Sequence, residues 1–197
     1  LINAAVELLA LQPWEMVTVA DVVARAGMTP AAFYYHFSSR EQLLEEVVEE
    51  FAQTWVAATE ALLAEASTID ELCQIPVALL DEVDGSQEVA RIFFLSAASA
   101  PLLVERIHTD ARNRLVLSAF EALRRISPKR PSAIARVNGV ALVLVCEMAV
   151  RAHLARDETY RVLGPRRFRE EIERLSAVAV DGAETPQKVT SRARAAR

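Results

Sequence analysis

The chain has 197 residues, 52% of them hydrophobic and 25% charged, with 22 basic against 27 acidic side chains and a net charge of −5. Ala, Val, Leu, Glu and Arg dominate and there are only five glycines, which excludes an all-β fold, since such a fold needs far more turn residues. The longest apolar run, Gly139 to Cys146, falls well short of the roughly 20 residues that cross a bilayer, so no transmembrane helix is expected.

Cys73 and Cys146 stand far apart in apolar helical surroundings, forming neither a disulfide framework nor a metal spacing, which fits a reducing cytoplasm. His36, His108 and His153 are scattered outside any zinc-binding pattern, so no metal and no cofactor are expected. The length suits a small module joined to a larger one.

Apolar spacing and punctuation give an all-α chain of about nine helices. The chain opens inside an amphipathic pattern (Leu1, Ala4, Ala5, Leu8, Leu9), as though a native N-terminal extension were missing. This first helix runs to about Leu11, where Gln12-Pro13-Trp14 breaks it. Thr18, with Asp21 three residues on, caps a short second helix that ends at Ala26-Gly27. Thr29 and Pro30 start a third, through His36, and Ser38-Ser39 with Glu41 and Gln42 open a long fourth to about Ala66. Beyond Thr68 five helices are expected, at about 69–83, 87–98, 102–126, 132–156 and 166–180. Asp84-Gly85, Pro101, Ser127-Pro128 with Pro131, and Gly164-Pro165 separate them. Residues 1–45 then form one domain and 46–182 a larger one, and 183–197 is a basic tail expected to be mobile.

The second and third helices, joined through Ala26-Gly27-Met28-Thr29, have the form of a helix-turn-helix, in which the second member lies in the major groove of DNA. At 100° per residue, Phe33 and Phe37 share one face of the third helix and can close onto Val19, Val22, Val23 and Ala26. Ala31, Ala32 and Tyr35 occupy the opposite face, with Tyr34 and His36 on its flanks. Small Ala31 and Ala32 allow close approach to base edges and thymine methyls, Tyr35 reaches further in, and Tyr34 and His36 can donate to phosphates. Helix starts near Thr18, Ser39 and Arg40 add further phosphate donors. Charge runs the other way: between Leu1 and Glu45, two basic residues face five acidic ones, where a DNA-binding domain normally shows a basic face.

The run A-G-M-T-P-A-A-F-Y-Y-H-F-S-S-R-E-Q-L-L, preceded by T-V-A-D-V-V-A-R, resembles the DNA-binding signature of the tetracycline-repressor (TetR) family over Thr18 to Leu44. The resemblance implies that Tyr34, Tyr35 and His36 contact DNA and that Thr18 and Arg40, the latter where the family usually has lysine, contact phosphates. It also implies an effector-binding body and dimerisation through the helices at 132–156 and 166–180. This sequence departs from the pattern at Val23, where alanine is usual, and at Pro30 and Ala31, which replace a polar residue and glycine. Ala20 stands where some members carry a base-reading arginine. Site choice should therefore lean on Tyr35, Thr29, methyl contacts and DNA shape.

In the body, polar residues within apolar helices point to a pocket: Arg91, Ser96, His108, Arg112, Asn113, Asn138 and Glu147. A lining of Phe93, Phe94, Phe120 and Met148 beside His108 and Glu147 would suit a small apolar effector. Glu147 and Arg151, one turn apart, are expected to pair with each other. No catalytic constellation is present in the sequence, so no enzyme is expected. These expectations amount to a cytoplasmic, ligand-responsive repressor that binds a palindromic double-stranded operator as a homodimer. An all-α carrier or enzyme that has lost DNA binding, and a protein-binding module using the same short helices, stay open at this point.

Overall fold

Capping chemistry sets the order of the elements. The computed structural model describes residues 1–95 and 102–181, and its elements are α1 (Ile2–Leu11), a 3-10 turn (Trp14–Met16), α2 (Val19–Ala26), α3 (Pro30–His36), α4 (Arg40–Glu65), α5 (Ile69–Asp84), α6 (Gln87–Leu95), α7 (Leu102–Ile126), α8 (Ser132–Ala155) and α9 (Glu158–Asp181). The fold is all-α, with nine α-helices among the described residues. The expected extension of the sixth helix to Ala98, with Ser96 and Pro101, and the tail at 183–197 lie outside those residues.

Thr18, Thr29, Ser39 and Thr68 each accept a backbone N–H from the first turn of the helix they precede, so four helix starts are fixed by a local hydroxyl. Gly27 ends α2 at φ 65°, the left-handed conformation that glycine takes without penalty, and sends the chain sharply into α3. Two local features differ from the sequence expectation. Trp14 opens the 3-10 turn instead of merely ending α1, and its ring is buried. A short helical stretch over 158–163 precedes the expected last helix, and Gly164, at the non-helical φ 72° and ψ 163°, breaks α9 before Pro165 where the sequence placed the break.

The head is α1 to α3 closed over the start of α4, with Ala5, Leu8, Trp14, Val17, Val22, Val23, Phe33, Phe37, Leu43 and Leu44 buried together. Each large apolar side chain buried there stabilises by roughly 1.5–3 kcal/mol. In the body, α4 packs on α7, α7 on α8, and α8 and α9 on α5, while α6 contacts α1, α4 and α8. Head and body thus meet through α4, which runs unbroken across position 45, and through the α1–α6 contact.

Side-chain clamps hold the helix ends. Arg114 grips Glu60 with two bonds (2.8 and 2.6 Å), and Arg125 donates to the free carbonyls of Leu63 and Ala66 at the end of α4 (2.7 and 2.9 Å). Asn138 and Arg130 cap the end of α9 through the carbonyls of Ala179 and Val180. The helix α8 is long and apolar enough to cross a membrane, with mean hydropathy 1.8 over its best window, yet 56% of that window is buried against neighbouring helices. Its Glu147 and Arg151 also argue for a core helix.

Candidate nucleic-acid interface and the buried polar cluster of the body

The short helix α3 separates its aromatic residues by face. Phe33 is fully buried and Phe37 nearly so, against the buried Val22 and Val23 of α2. Tyr34 and Tyr35 are 60% and 86% exposed, and His36, Thr29 and Ala31 are exposed beside them. The rings brace one another: Tyr34 meets Phe33 edge-on at 5.3 Å, and His36 meets Tyr35 edge-on at 5.1 Å. A polar-tipped pair of rings standing in water on a rigid seven-residue helix has no packing role to fill. Its hydroxyls are free to donate or accept. Thr29 accepts from the Ala32 amide (3.2 Å) and Ser39 from Gln42 (3.1 Å), so each hydroxyl keeps its own proton for an outside acceptor. Pro30 occupies the first helical position and Ala32 is half-buried behind it.

Two of the sequence-derived phosphate contacts are otherwise engaged. Thr18 and Asp21 form a complete capping box, in which the Thr18 hydroxyl donates to the Asp21 carboxylate (2.6 Å) and accepts from the Asp21 amide (3.2 Å). Those bonds hold Asp21 below its usual carboxylate range and leave a negative charge at the start of α2. Arg40 does not reach outward as expected. Its Nη1 donates to the carbonyls of Val17 (2.6 Å) and Trp14 (3.3 Å), and its guanidinium lies over the Trp14 ring at 4.3 Å. The physical reason is that the turn presents the Val17 carbonyl, and the second lone pair of the Trp14 carbonyl that already accepts the Val17 amide, to a planar fork of donors. Arg40 therefore holds the turn that presents α2 and α3.

In the body the structure brings together four of the six residues expected at a pocket. His108 is 7% exposed and lies 4.9 Å from the Phe93 ring and 5.9 Å from the Phe94 ring, both of them buried. Glu147, 8% exposed, approaches His108 Nε2 at 3.7 Å. The expected Glu147–Arg151 pair does not form. Glu147 instead accepts two bonds from Arg112 of α7, at 2.8 and 2.7 Å, because a guanidinium from the facing helix can present both donors in one plane. The bond from Glu147 favours the charged guanidinium, so Arg112 is held above its ordinary value.

Burial pushes His108 below the usual imidazole range, with Arg112 and Arg151 adding to the shift against the pull of Glu147. Arg112 Nη2 lies 3.4 Å from His108 Nδ1, which favours the tautomer with its proton on Nε2, the buried atom that has no hydrogen-bond partner. Met148 lies on the outer side of α8, and Phe120 sits apart under Arg136 (5.0 Å). Buried Cys146 has its thiol pushed up to about 12, chiefly by desolvation, which makes it unreactive.

The head is thus a helix-turn-helix whose second helix offers its free face to solvent. Residues 1–47 match the family model of the bacterial regulatory proteins of the tetR family. No curated protein matches the chain in sequence. Among solved structures, the regulator FadR from Bacillus subtilis in complex with stearoyl-CoA is 17% identical, with a TM-score of 0.68 over 92% of this chain and 97% of that one. FadR from Bacillus halodurans is 14% identical, with a TM-score of 0.69 over 93% and 94% of the two chains. GusR of Salmonella enterica is also 14% identical, with a TM-score of 0.69 over 91% and 93%. At these identities the likeness is one of fold, and it extends through the body.

Proposed function

We propose that the protein is a dimeric transcriptional repressor of the bacterial cytoplasm that reads a palindromic double-stranded operator with α3 and releases it on binding a small, largely apolar effector. The observation that carries this reading is the division of α3, with Phe33 and Phe37 inward and Tyr34, Tyr35 and His36 outward. Tyr35 enters the groove with Ala31 and Ala32 close to the bases and Pro30 setting the helix start. Thr29, Tyr34, His36 and Ser39 meet the backbone, while Thr18 and Arg40 hold the frame from inside. It is a binding device without a chemical step.

A stripe on α8 supports the dimer: Ile134, Val137, Leu144 and Met148 are 39% to 67% exposed, and Leu175 and Val178 continue it on α9. An apolar stripe at helical spacing is what a second copy would cover, in a four-helix arrangement of the segments 132–156 and 166–180. Phe93, Phe94, His108 and Glu147 remain the proposed surroundings of the effector, while Phe120 and Met148 lie away from them. The likeness of the body to a fold that holds stearoyl-CoA in FadR of Bacillus subtilis supports a small-molecule role.

A second reading, a small-molecule carrier without DNA binding, is favoured by the acidic groove along α4, lined by Glu45, Glu46, Glu49 and Glu50. Fluorescence anisotropy with DNA flanking the protein's own gene, at low salt, separates the two. The regulator binds it and Tyr35→Ala loses about 1–3 kcal/mol of that affinity. Absence of binding by the unaltered protein favours the carrier.

A further inference from the structure

The head has to meet a polyanion with little permanent positive charge of its own. Between Leu1 and Glu45 its basic side chains are Arg25 and Arg40, and both are engaged. Arg25 pairs with Glu7 of α1 at 3.0 Å, while Arg40 is turned inward onto the Val17 and Trp14 carbonyls and pairs with Glu41 at 3.3 Å. The exposed Glu15 and half-buried Asp21 carboxylates stand at the 3-10 turn and at the start of α2, where the Thr18 bonds keep Asp21 charged. Duplex DNA carries one negative charge per about 1.7 Å, and protein cations that displace its counterions supply much of the affinity. A head so poor in free cations gains most from a group that becomes one on binding.

His36 is that group. It is the one histidine between Leu1 and Glu45, it ends α3, and it is exposed. Its ring meets Tyr35 edge-on at 5.1 Å and lies 6.5 Å from the ring of buried Phe37. Among the described residues it makes no hydrogen bond and no ion pair, so its ring nitrogens are left for an outside partner. The groove beside it is lined by α1 from Leu1 to Asn3, by Met28 of the turn and by α4. The charged groups in that lining are the Leu1 amino group and the Glu46 carboxylate, and neither forms an ion pair with the imidazole. On α3 itself the titratable neighbours are Tyr34 and Tyr35. Histidine is the side chain whose charge changes between about pH 5 and 8, and a phosphate at hydrogen-bond distance favours its charged form.

We propose that His36 takes up a proton when the head meets its operator, so that acid tightens operator binding. A ring nitrogen accepts the proton from solvent, and the imidazolium donates an N–H to a phosphate oxygen at the flank of the major groove. The bound state then holds more protons than the free one. Affinity therefore rises as pH falls, and stops rising once the free head is protonated as well. The inference rests on the operator reading above and adds to it a coupling between occupancy and pH, carried by one residue in each copy of α3.

Fluorescence anisotropy of the full chain with DNA flanking the protein's own gene, at about pH 6 and about pH 8 over a range of salt, tests it. With two copies contributing, the unaltered protein is expected to bind at least about tenfold more tightly at the lower pH. Its plot of log affinity against log salt should also be steeper there, by about 1–2. His36→Gln should lose both differences. His36→Arg, which sets a permanent cation at the same place, should bind tightly with the steep salt slope at both pH values, an outcome that a merely structural role of the ring does not give. Thermal unfolding of each protein at both pH values checks that the fold is kept. Equal affinity of the unaltered protein at the two pH values, a pH difference that survives His36→Gln, or binding by His36→Arg no tighter than by His36→Gln would each overturn the inference and leave operator binding standing. Absence of DNA binding at either pH would remove the operator reading, and the inference with it.

Discussion

The exposed face of α3 and the exposed face of α8 both set large side chains in water, but they are built for different partners. On α3 the exposed rings carry a hydroxyl or an imidazole, sit on seven residues, and are backed by two buried phenylalanines. On α8 the large exposed apolar groups are aliphatic or thioether, spaced from Ile134 to Met148, with the Arg112–Glu147 ion pair behind them. A short stiff helix with polar tips suits a groove whose edges are donors and acceptors. A long apolar stripe suits another protein surface, where removal of water alone is the gain.

Phe33→Ala is the harshest way to break that contrast. It empties a fully buried site and should cost about 3–5 kcal/mol by thermal or denaturant unfolding, with DNA binding lost along with the head. Tyr35→Ala, two residues on, should leave stability within about 0.5 kcal/mol while still losing operator affinity. Equal unfolding penalties for the two would show that the division of faces is wrong.

Glu147→Ala leaves Arg112 unpaired behind the α8 face. We expect a loss of about 2 kcal/mol, below the 3–5 typical of a fully buried pair, because the Arg112 side chain is 36% exposed. Val137→Glu, on the stripe itself, should change the stability of the single chain by no more than about 0.5 kcal/mol, yet shift sedimentation from dimer to monomer. A monomeric unaltered protein would remove the reason given for the stripe.

The smallest effect concerns pH. His108 is held below its ordinary value of 6.5, so the unfolded chain takes up a proton first as pH falls. Stability is thus fully present above about 6.5, declines below it, and stops declining on this account once the folded imidazole is also protonated. His108→Gln should flatten that decline in denaturant titrations. Asp84, held low by His153 at 2.8 Å, acts in a separate window: its contribution is present above 3.8 and is lost as pH falls through its lower folded value.

What was legible in the sequence was what is decided locally. The hydroxyl caps, Gly27 and Pro30 lie within a few residues of the elements they begin or end, and the opposing faces of α3 follow from its period alone. The fork between Arg112 and Glu147 spans 35 residues, and the seat of Arg40 on the Trp14 turn spans 26, so neither could be read from spacing. A tryptophan next to proline in a loop was the one available sign that something would have to cover it. The break at Gly164-Pro165 is equally local and stands where the sequence put it; only the short helical stretch before it, 158–163, was not read.

Hydroxyl-radical footprinting on the DNA flanking the protein's own gene tests the central claim most directly. A dimer reading with two copies of α3 should protect two patches on one face of the duplex, about 34–36 Å or a multiple of that apart, and Tyr35→Ala should weaken both together. A single protected patch, or protection that Tyr35→Ala leaves unchanged, would contradict it.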